Sequence, residues 1–259
     1  MSDMTGSGDI ERETRAAAQA AAELVEDRSL VGLGSGSTVA PFLVALASRK
    51  LRLRCVSTSA ATEHAARALG LEVEPFDSVD RLDIAVDGAD QIAPDGWLIK
   101  GGGAAHTREK IVAAAAERFV VIASSDKLVE ALSPPVPLEL MGYGLPATLS
   151  ALAPTELRNV PPSPDGGIIA DYHGTVGDPA ELATWLSCTP GVVAHGLFPP
   201  GLVDDILVAD GAEVVPDRPS VGNFPTTLDS LKRRGLGFER HLAPNEGGSM
   251  ATEEGSHGC

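Results

Sequence analysis

Between residues 82 and 110 the chain reads LDIAVDGADQIAPDGWLIKGGGAAHTREK, and the three consecutive glycines inside it constrain the fold more than any other feature. Glycine loses more backbone entropy on folding than any other residue. A run of Gly101, Gly102 and Gly103 is therefore kept only where the backbone takes positive φ or must approach a ligand closely. The flanks are equally directed. Leu82, Ile84, Ala85 and Val86, interrupted only by Asp83, suit a buried strand of a parallel sheet. That strand runs into Asp87-Gly88-Ala89-Asp90, two carboxylates around a turn, where open α/β sheets bind ligands beyond the carboxyl ends of their strands. Trp97-Leu98-Ile99 then delivers Lys100 to the glycines. Ala104 to Ala116 is alanine-rich and helical, with Glu109 between Arg108 and Lys110. Taken singly, these signals have bland readings: Asp-Gly is ordinary turn chemistry, and a glutamate between two bases suits a solvated helix face. Their order within one stretch brings acid, lysine and glutamate together.

The rest of the chain alternates strands and helices around that stretch. Ile10 to Asp27 has the alanine content of a helix. Leu30 to Leu33 reads as a short buried strand running into Gly34-Ser35-Gly36-Ser37-Thr38 and a helix to about Ser48. Strand, Gly/Ser loop and helix form the geometry in which backbone N–H groups and the helix dipole hold an anion. Neither a Gly-Lys-Ser/Thr sequence nor a third glycine at the dinucleotide spacing follows, so a monophosphate is the better guest. Leu51 to Ser57 and Leu71 to Val73 read as strands; the hydroxyls of Thr58, Ser59 and Thr62 between them suit either a helix cap or a ligand loop. Phe119 to Ala123 is another buried strand, ending in Ser124-Ser125-Asp126-Lys127.

This pattern predicts an α/β fold, a Rossmann-like parallel-sheet domain over residues 10–133. Ser133-Pro134-Pro135-Val136-Pro137 marks a boundary. Beyond it, strand, helix, strand, helix, strand over 134–198 suit a smaller α+β (ferredoxin-like) lid domain. Val203 to Ala209, within 199–215, should return to the first sheet as a strand. The tail, 216–259, is expected to be partly disordered, with a helix at Leu228 to Arg234.

Composition removes several function classes. The formal net charge is −16, which argues against nucleic acid as a partner, since a phosphate backbone is captured by clustered cations. No apolar run approaches the ~18 residues of a membrane span, and the polar start MSDMTGSGD is no secretory signal, so a cytoplasmic protein is expected. Cys55, Cys188 and Cys259 stand far apart, in no metal-ligand spacing. His173 and His195 suit packing or loop positions better than a metal site. Only five lysines occur, and three of them, Lys100, Lys110 and Lys127, fall within residues 100–127, a concentration that favours a function there.

DGADQ followed by LIKGGGAAHTREKIVA resembles the signature of the type A ribose-5-phosphate isomerase family, as do the GSGST loop, GIIADYHG and TPGVVAHGLF. The resemblance covers about residues 10–215. Gln91 stands where the family usually has an acid and His106 where it often has an apolar residue. The resemblance implies interconversion of ribose 5-phosphate and ribulose 5-phosphate through an enediolate. It implies Glu109 as base, Lys100 as the cation near the oxyanion, and Asp87 and Asp90 as holders of sugar hydroxyls that assist ring opening. Ser35, Gly36, Ser37 and Thr38 would anchor the phosphate, with Gly88, Ala89, Gly101 to Gly103 and Lys127 also against the substrate. It implies no metal or other cofactor and a homodimer or homotetramer. Two alternatives stay open: a paralogue acting on another sugar phosphate, and a non-catalytic sugar-phosphate sensor. The second lacks room for a DNA-binding domain ahead of the first strand and has no need of Glu109.

Overall fold

The computed structural model describes residues 3–210 and 213–217; the remaining tail, with the expected helix at 228–234, lies outside them. Helix α1 (Asp3–Glu23) leads to β1 (Leu30–Leu33), α2 (Val39–Ser48), β2 (Arg54–Ser57), α3 (Ala60–Ala68) and β3 (Ile84–Gly88). Two short strands, β4 (Gln91–Ile92) and β5 (Leu98–Ile99), precede α4 (His106–Ala115) and β6 (Phe119–Ser124). Then come β7 (Val136–Leu140), α5 (Leu145–Ala151), β8 (Thr155–Leu157), β9 (Ile168–Tyr172), α6 (Pro179–Cys188), β10 (Val192–His195), β11 (Leu197–Phe198), β12 (Asp205–Asp210) and β13 (Glu213–Asp217).

The main sheet has the order β13-β12-β6-β3-β1-β2. Four pairings leave β2, β1, β3, β6 and β12 mutually parallel, and a fifth sets β13 antiparallel at the edge. Strand side chains alternate faces, and because helices cover both sides, both sets are buried. Val120 and Ile122 of β6 pack with Ala18, Phe42 and Leu46 of α1 and α2. Phe119, Val121 and Ala123 pack with Val112 and Ala113 of α4 on the other face. Gly32 makes that second contact close: a Cβ there would stand 2.6 Å from Val112. Glycine thus lets α4 settle onto β1 with its N-terminal turn over the strand ends.

Strands β7 to β10 form a separate antiparallel sheet in the order β10-β7-β9-β8. With α5 and α6 in the connections, this is the βαββαβ arrangement of a ferredoxin-like unit, built over an apolar cluster that includes Val136, Leu138, Leu140 and Leu186. The sequence pattern had shown only three of its four strands. β8 is three residues long and mostly exposed, so it lacks the apolar alternation that marks a strand. The strand expected at Leu71 to Val73 is reduced to one bridge between Cys55 and Val73. Pro75, two residues on, has no N–H to continue the ladder.

A third sheet, β11-β5-β4, joins the two. Leu197 and Phe198 lie antiparallel to Ile99 and Leu98, which carries the chain leaving β10 directly across the residue that follows β5. That residue is Lys100.

Candidate active site

Three ionisable side chains meet, buried, at the carboxyl end of β3. The Lys100 ammonium stands 2.9 Å from Oδ2 of Asp87 and 3.2 Å from Oε2 of Glu109, and it donates to the Gly88 carbonyl. The exposures of Asp87, Lys100 and Glu109 are 3%, 3% and 5%, so water screens none of these charges. Each arrives from a different element: Asp87 from the end of β3, Lys100 from the residue after β5, Glu109 from the first turn of α4, where the helix dipole favours a carboxylate.

Burial raises the proton affinity of Asp87, and the charge of Glu109 adds to it against the opposing pull of Lys100, so Asp87 is pushed up to about 7. For Lys100, burial alone would strip the proton. The two carboxylates outweigh it and hold the ammonium charged above the ordinary lysine range. The site therefore holds a fixed cation and a carboxyl group poised to exchange a proton near neutral pH.

The Gly/Ser loop after β1 reaches the same place. The Ser35 hydroxyl donates to Oε1 of Glu109 at 2.6 Å, and its N–H donates to Oδ1 of Asp87 at 3.1 Å. The Gly88 N–H reaches the same Oδ1 at 2.8 Å. Gly34 makes this cradle possible: a Cβ there would lie 2.1 Å from Oδ1 of Asp87. Ser35 thus engages the acids, while Gly36, with φ of +88°, and Ser37 form the exposed crest of the loop. At the start of α2, Thr38 makes no side-chain cap and no acid occupies the first turn, which leaves these N–H groups available to an anion. Thr62 holds the loop from beneath, donating to the Gly34 carbonyl at 2.9 Å, and Ser59 caps α3. Those hydroxyls serve the backbone.

Asp90 stands apart from the buried cluster. It is exposed, and its Oδ2 accepts the Gly102 N–H at 2.8 Å, so it shapes the glycine loop. Gly101 takes φ of +106°, with a Cβ position only 2.7 Å from the His106 ring. Ala89 is buried beneath the turn. Lys127 lies in the turn after β6, one strand over from β3, with its ammonium on Asp126 at 3.0 Å. Gln91 makes a two-point link to the backbone of Ser133, both bonds at 2.9 Å. Among the described residues, no group of three or more His, Cys, Asp or Glu could hold a metal ion.

The structure adds residues that the sequence reading passed over. Arg158, just past β8, donates to the carbonyls of Gly101 and Gly102, both at 3.0 Å, while its other nitrogens hold Asp171. The Phe198 ring lies 5.5 Å from the Lys100 ammonium, within cation–π range. TPGVVAHGLF was a visible motif, but its position over Lys100 follows from a pairing almost a hundred residues apart in sequence. For Arg158 no local signal existed.

Residues 54–213 match the family model of ribose 5-phosphate isomerase A (phosphoriboisomerase A). The chain belongs to this family. A ribose-5-phosphate isomerase A from Caulobacter sp. (strain K31) is 44% identical over 216 residues, 78% of this chain and 95% of the relative. One from Natronomonas pharaonis is 40% identical over 227 residues, 82% of this chain and 100% of the relative. Among solved structures, ribose 5 phosphate isomerase A from Neisseria gonorrhoeae superimposes with a TM-score of 0.76 at 31% identity, covering 80% of this chain and 96% of that one. A D-ribose-5-phosphate isomerase in complex with phospho-erythronic acid gives 0.76 at 32% identity, over 81% and 99%. The ribose 5-phosphate isomerase A fold thus spans the mixed α/β architecture with its parallel central sheet. Among the described residues no helix is long and apolar enough to cross a membrane.

Proposed function

We propose that this chain interconverts D-ribose 5-phosphate and D-ribulose 5-phosphate. The carrying observation is the buried triad, Lys100 at 2.9 and 3.2 Å from Asp87 and Glu109, beside an uncapped helix start. Moving a carbonyl from C1 to C2 needs a base that lifts a proton from C2 and returns it to C1, and a cation for the enediolate oxygen. Glu109 is that base, with Oε1 fixed by Ser35 and Oε2 turned to the cluster. Lys100 supplies the positive charge in a dry site, where it acts most strongly. Asp87, titrating near neutral pH, donates and accepts the proton of ring opening and of the carbonyl oxygen. Asp90 orients a sugar hydroxyl at the edge, beside the glycine loop.

The phosphate sits on the N–H groups of Gly36 to Thr38 at the start of α2, with Lys127 nearby as a counter-charge. Binding energy from this remote group orients the reacting carbons. Residues 134–198 form a lid over the substrate, and the protein works as a homodimer or homotetramer in the cytoplasm. Phospho-erythronic acid, which one structural relative holds, carries a phosphate at one end and a carboxylate at the other; here these would meet the α2 loop and Lys100.

The test is direct: the pure protein is incubated with ribose 5-phosphate and a panel of other pentose and hexose phosphates, followed by NMR. Conversion of ribose 5-phosphate to ribulose 5-phosphate, inhibited competitively by phospho-erythronic acid, is the expected result. Preferred turnover of another sugar phosphate would point to a paralogue instead, and no turnover of any would point to a sensor.

A further inference from the structure

Lys110 is a half-buried cation that the reaction outlined above does not use. Its ammonium donates to the His195 carbonyl at 2.6 Å, lies 3.4 Å from the Nδ1 atom of the same residue, and stands 4.9 Å from the centre of the Phe198 ring. Among the described residues it has no carboxylate partner. An ammonium taken partly out of water is normally offset by a counter-ion; here a carbonyl, an imidazole nitrogen and a ring face it instead.

Its neighbours show what it joins. Residues 195–198 form a strap across Lys100. Gly196 accepts the Lys100 N–H at 2.9 Å, and a Cβ on Gly196 would come within 2.2 Å of the Lys100 carbonyl. Leu197 and Phe198 pair with Ile99 and Leu98, and the Phe198 ring faces both ammonium groups. His195 fixes the strap's start: its Nδ1 accepts the Leu197 N–H at 3.2 Å, which leaves Nε2 to donate to Ser187 of α6 at 3.0 Å. On α4, consecutive side chains diverge by about 100°, so Glu109 points to the acid cluster while Lys110 points to the strap. One helical turn thus holds both the base and the tie to the segment that clasps Lys100.

We propose that Lys110 is a positioning residue for the isomerisation: its ammonium locks the helix carrying Glu109 to the strap carrying Phe198, and so fixes the base relative to Lys100 while adding a second positive charge behind it. This rests on the proposed function. The charged and titratable groups around it are His106 on its own helix, which Glu139 of β7 also influences, His195 on β10, and Lys100, which shares the Phe198 ring. Burial lowers both histidines, His106 to about 4 and His195 to about 3, with Lys110 adding to each shift, so neither titrates above neutrality. Burial lowers Lys110 itself to about 8.

The experiment measures kcat and KM for ribose 5-phosphate from pH 6 to 10 in the wild type, Lys110→Met and Lys110→Arg. The wild type should lose activity several-fold as pH rises through about 8. Lys110→Met should lower kcat at pH 7 about ten-fold or more, leave KM within a few-fold and lack the part of the alkaline fall near 8, keeping only the part that Asp87, near 7, contributes. Lys110→Arg, which keeps its charge, should restore much of kcat and move the limb beyond the range. A wild-type kcat flat from pH 7 to 9.5 would overturn the proposal even if Lys110→Met failed to fold. So would an alkaline limb that persists unchanged in Lys110→Met, or a kcat within two-fold of the wild type. An inactive wild type would remove the proposed function and this inference together, whereas an active wild type with an unaffected Lys110→Met would remove the inference alone.

Discussion

Replacing Lys100 by methionine keeps the length of the side chain and removes its charge, leaving Asp87 and Glu109 against each other with no cation between them. Both oxygens that now face the ammonium, at 2.9 and 3.2 Å, would be buried without a counter-charge. Removing one partner from such a group destabilises by about 3–5 kcal/mol. In a chain of this size each kcal/mol shifts Tm by about 2–4 °C, so the loss should be roughly 10 °C at pH 8. Its pH dependence has a definite sign. A carboxyl whose folded pKa is raised above its unfolded value binds its proton more tightly when folded, so stability is greatest below the unfolded value and falls as pH rises toward the folded one. Asp87 already behaves in this way, from 3.8 to about 7, and loss of Lys100 removes the main influence that opposes the shift. The deficit relative to the wild type should therefore shrink at pH 5, where Asp87 takes up its proton and the buried charge is relieved without the lysine. Thermal unfolding followed by circular dichroism at pH 5 and pH 8 measures it. A deficit equal at both pH values, or no deficit at pH 8, would refute the claim that the three groups form one electrostatic unit.

Other consequences follow from the same geometry. Ser37→Asp places a carboxylate at the open start of α2 and should raise KM for ribose 5-phosphate at least ten-fold, with little change in Tm; steady-state kinetics decide this, and an unchanged KM would move the phosphate elsewhere. Gly34→Ala drives a methyl group into Asp87, 2.1 Å from its Oδ1. It should lower kcat ten-fold or more and cost about 1–3 kcal/mol of stability, read from turnover and chemical denaturation. Overnight dialysis against EDTA should leave turnover unchanged; loss on chelation, restored by a divalent ion, would require a metal in the reaction.

The buried cluster was legible because its residues are local in sequence. Asp87, Lys100 and Glu109 sit within twenty-three residues, and the turn, the glycines and the alanine-rich helix between them allow few arrangements. Strand β12 was legible for a related reason: its apolar run needs two covered faces, and only the parallel sheet supplies them. What stayed hidden depends on contacts between distant segments. Arg158 gives no sign in sequence that it will hold the Gly101 and Gly102 carbonyls. Nor does the sequence show that Gly34 lets Asp87 fold under the loop, so that the Ser35 N–H and hydroxyl turn to the acids. The edge strand β13 was missed because Pro216 reads as a stop; an outermost strand tolerates a proline where an inner one would not.

The most direct test of the account is the proton transfer assigned to Glu109. Glu109→Gln keeps the size of the side chain and a hydrogen-bond acceptor for Ser35 but removes the basic carboxylate, so kcat should fall by about 10²–10⁴. Incubated with ribose 5-phosphate in D₂O and followed by NMR, the wild type should incorporate solvent deuterium at the transferred carbon as ribulose 5-phosphate forms. The Glu109→Gln protein should show neither exchange nor isomerisation while still binding the substrate. Exchange and turnover near the wild-type rate in Glu109→Gln would contradict the account and move the base to Asp87 or Asp90.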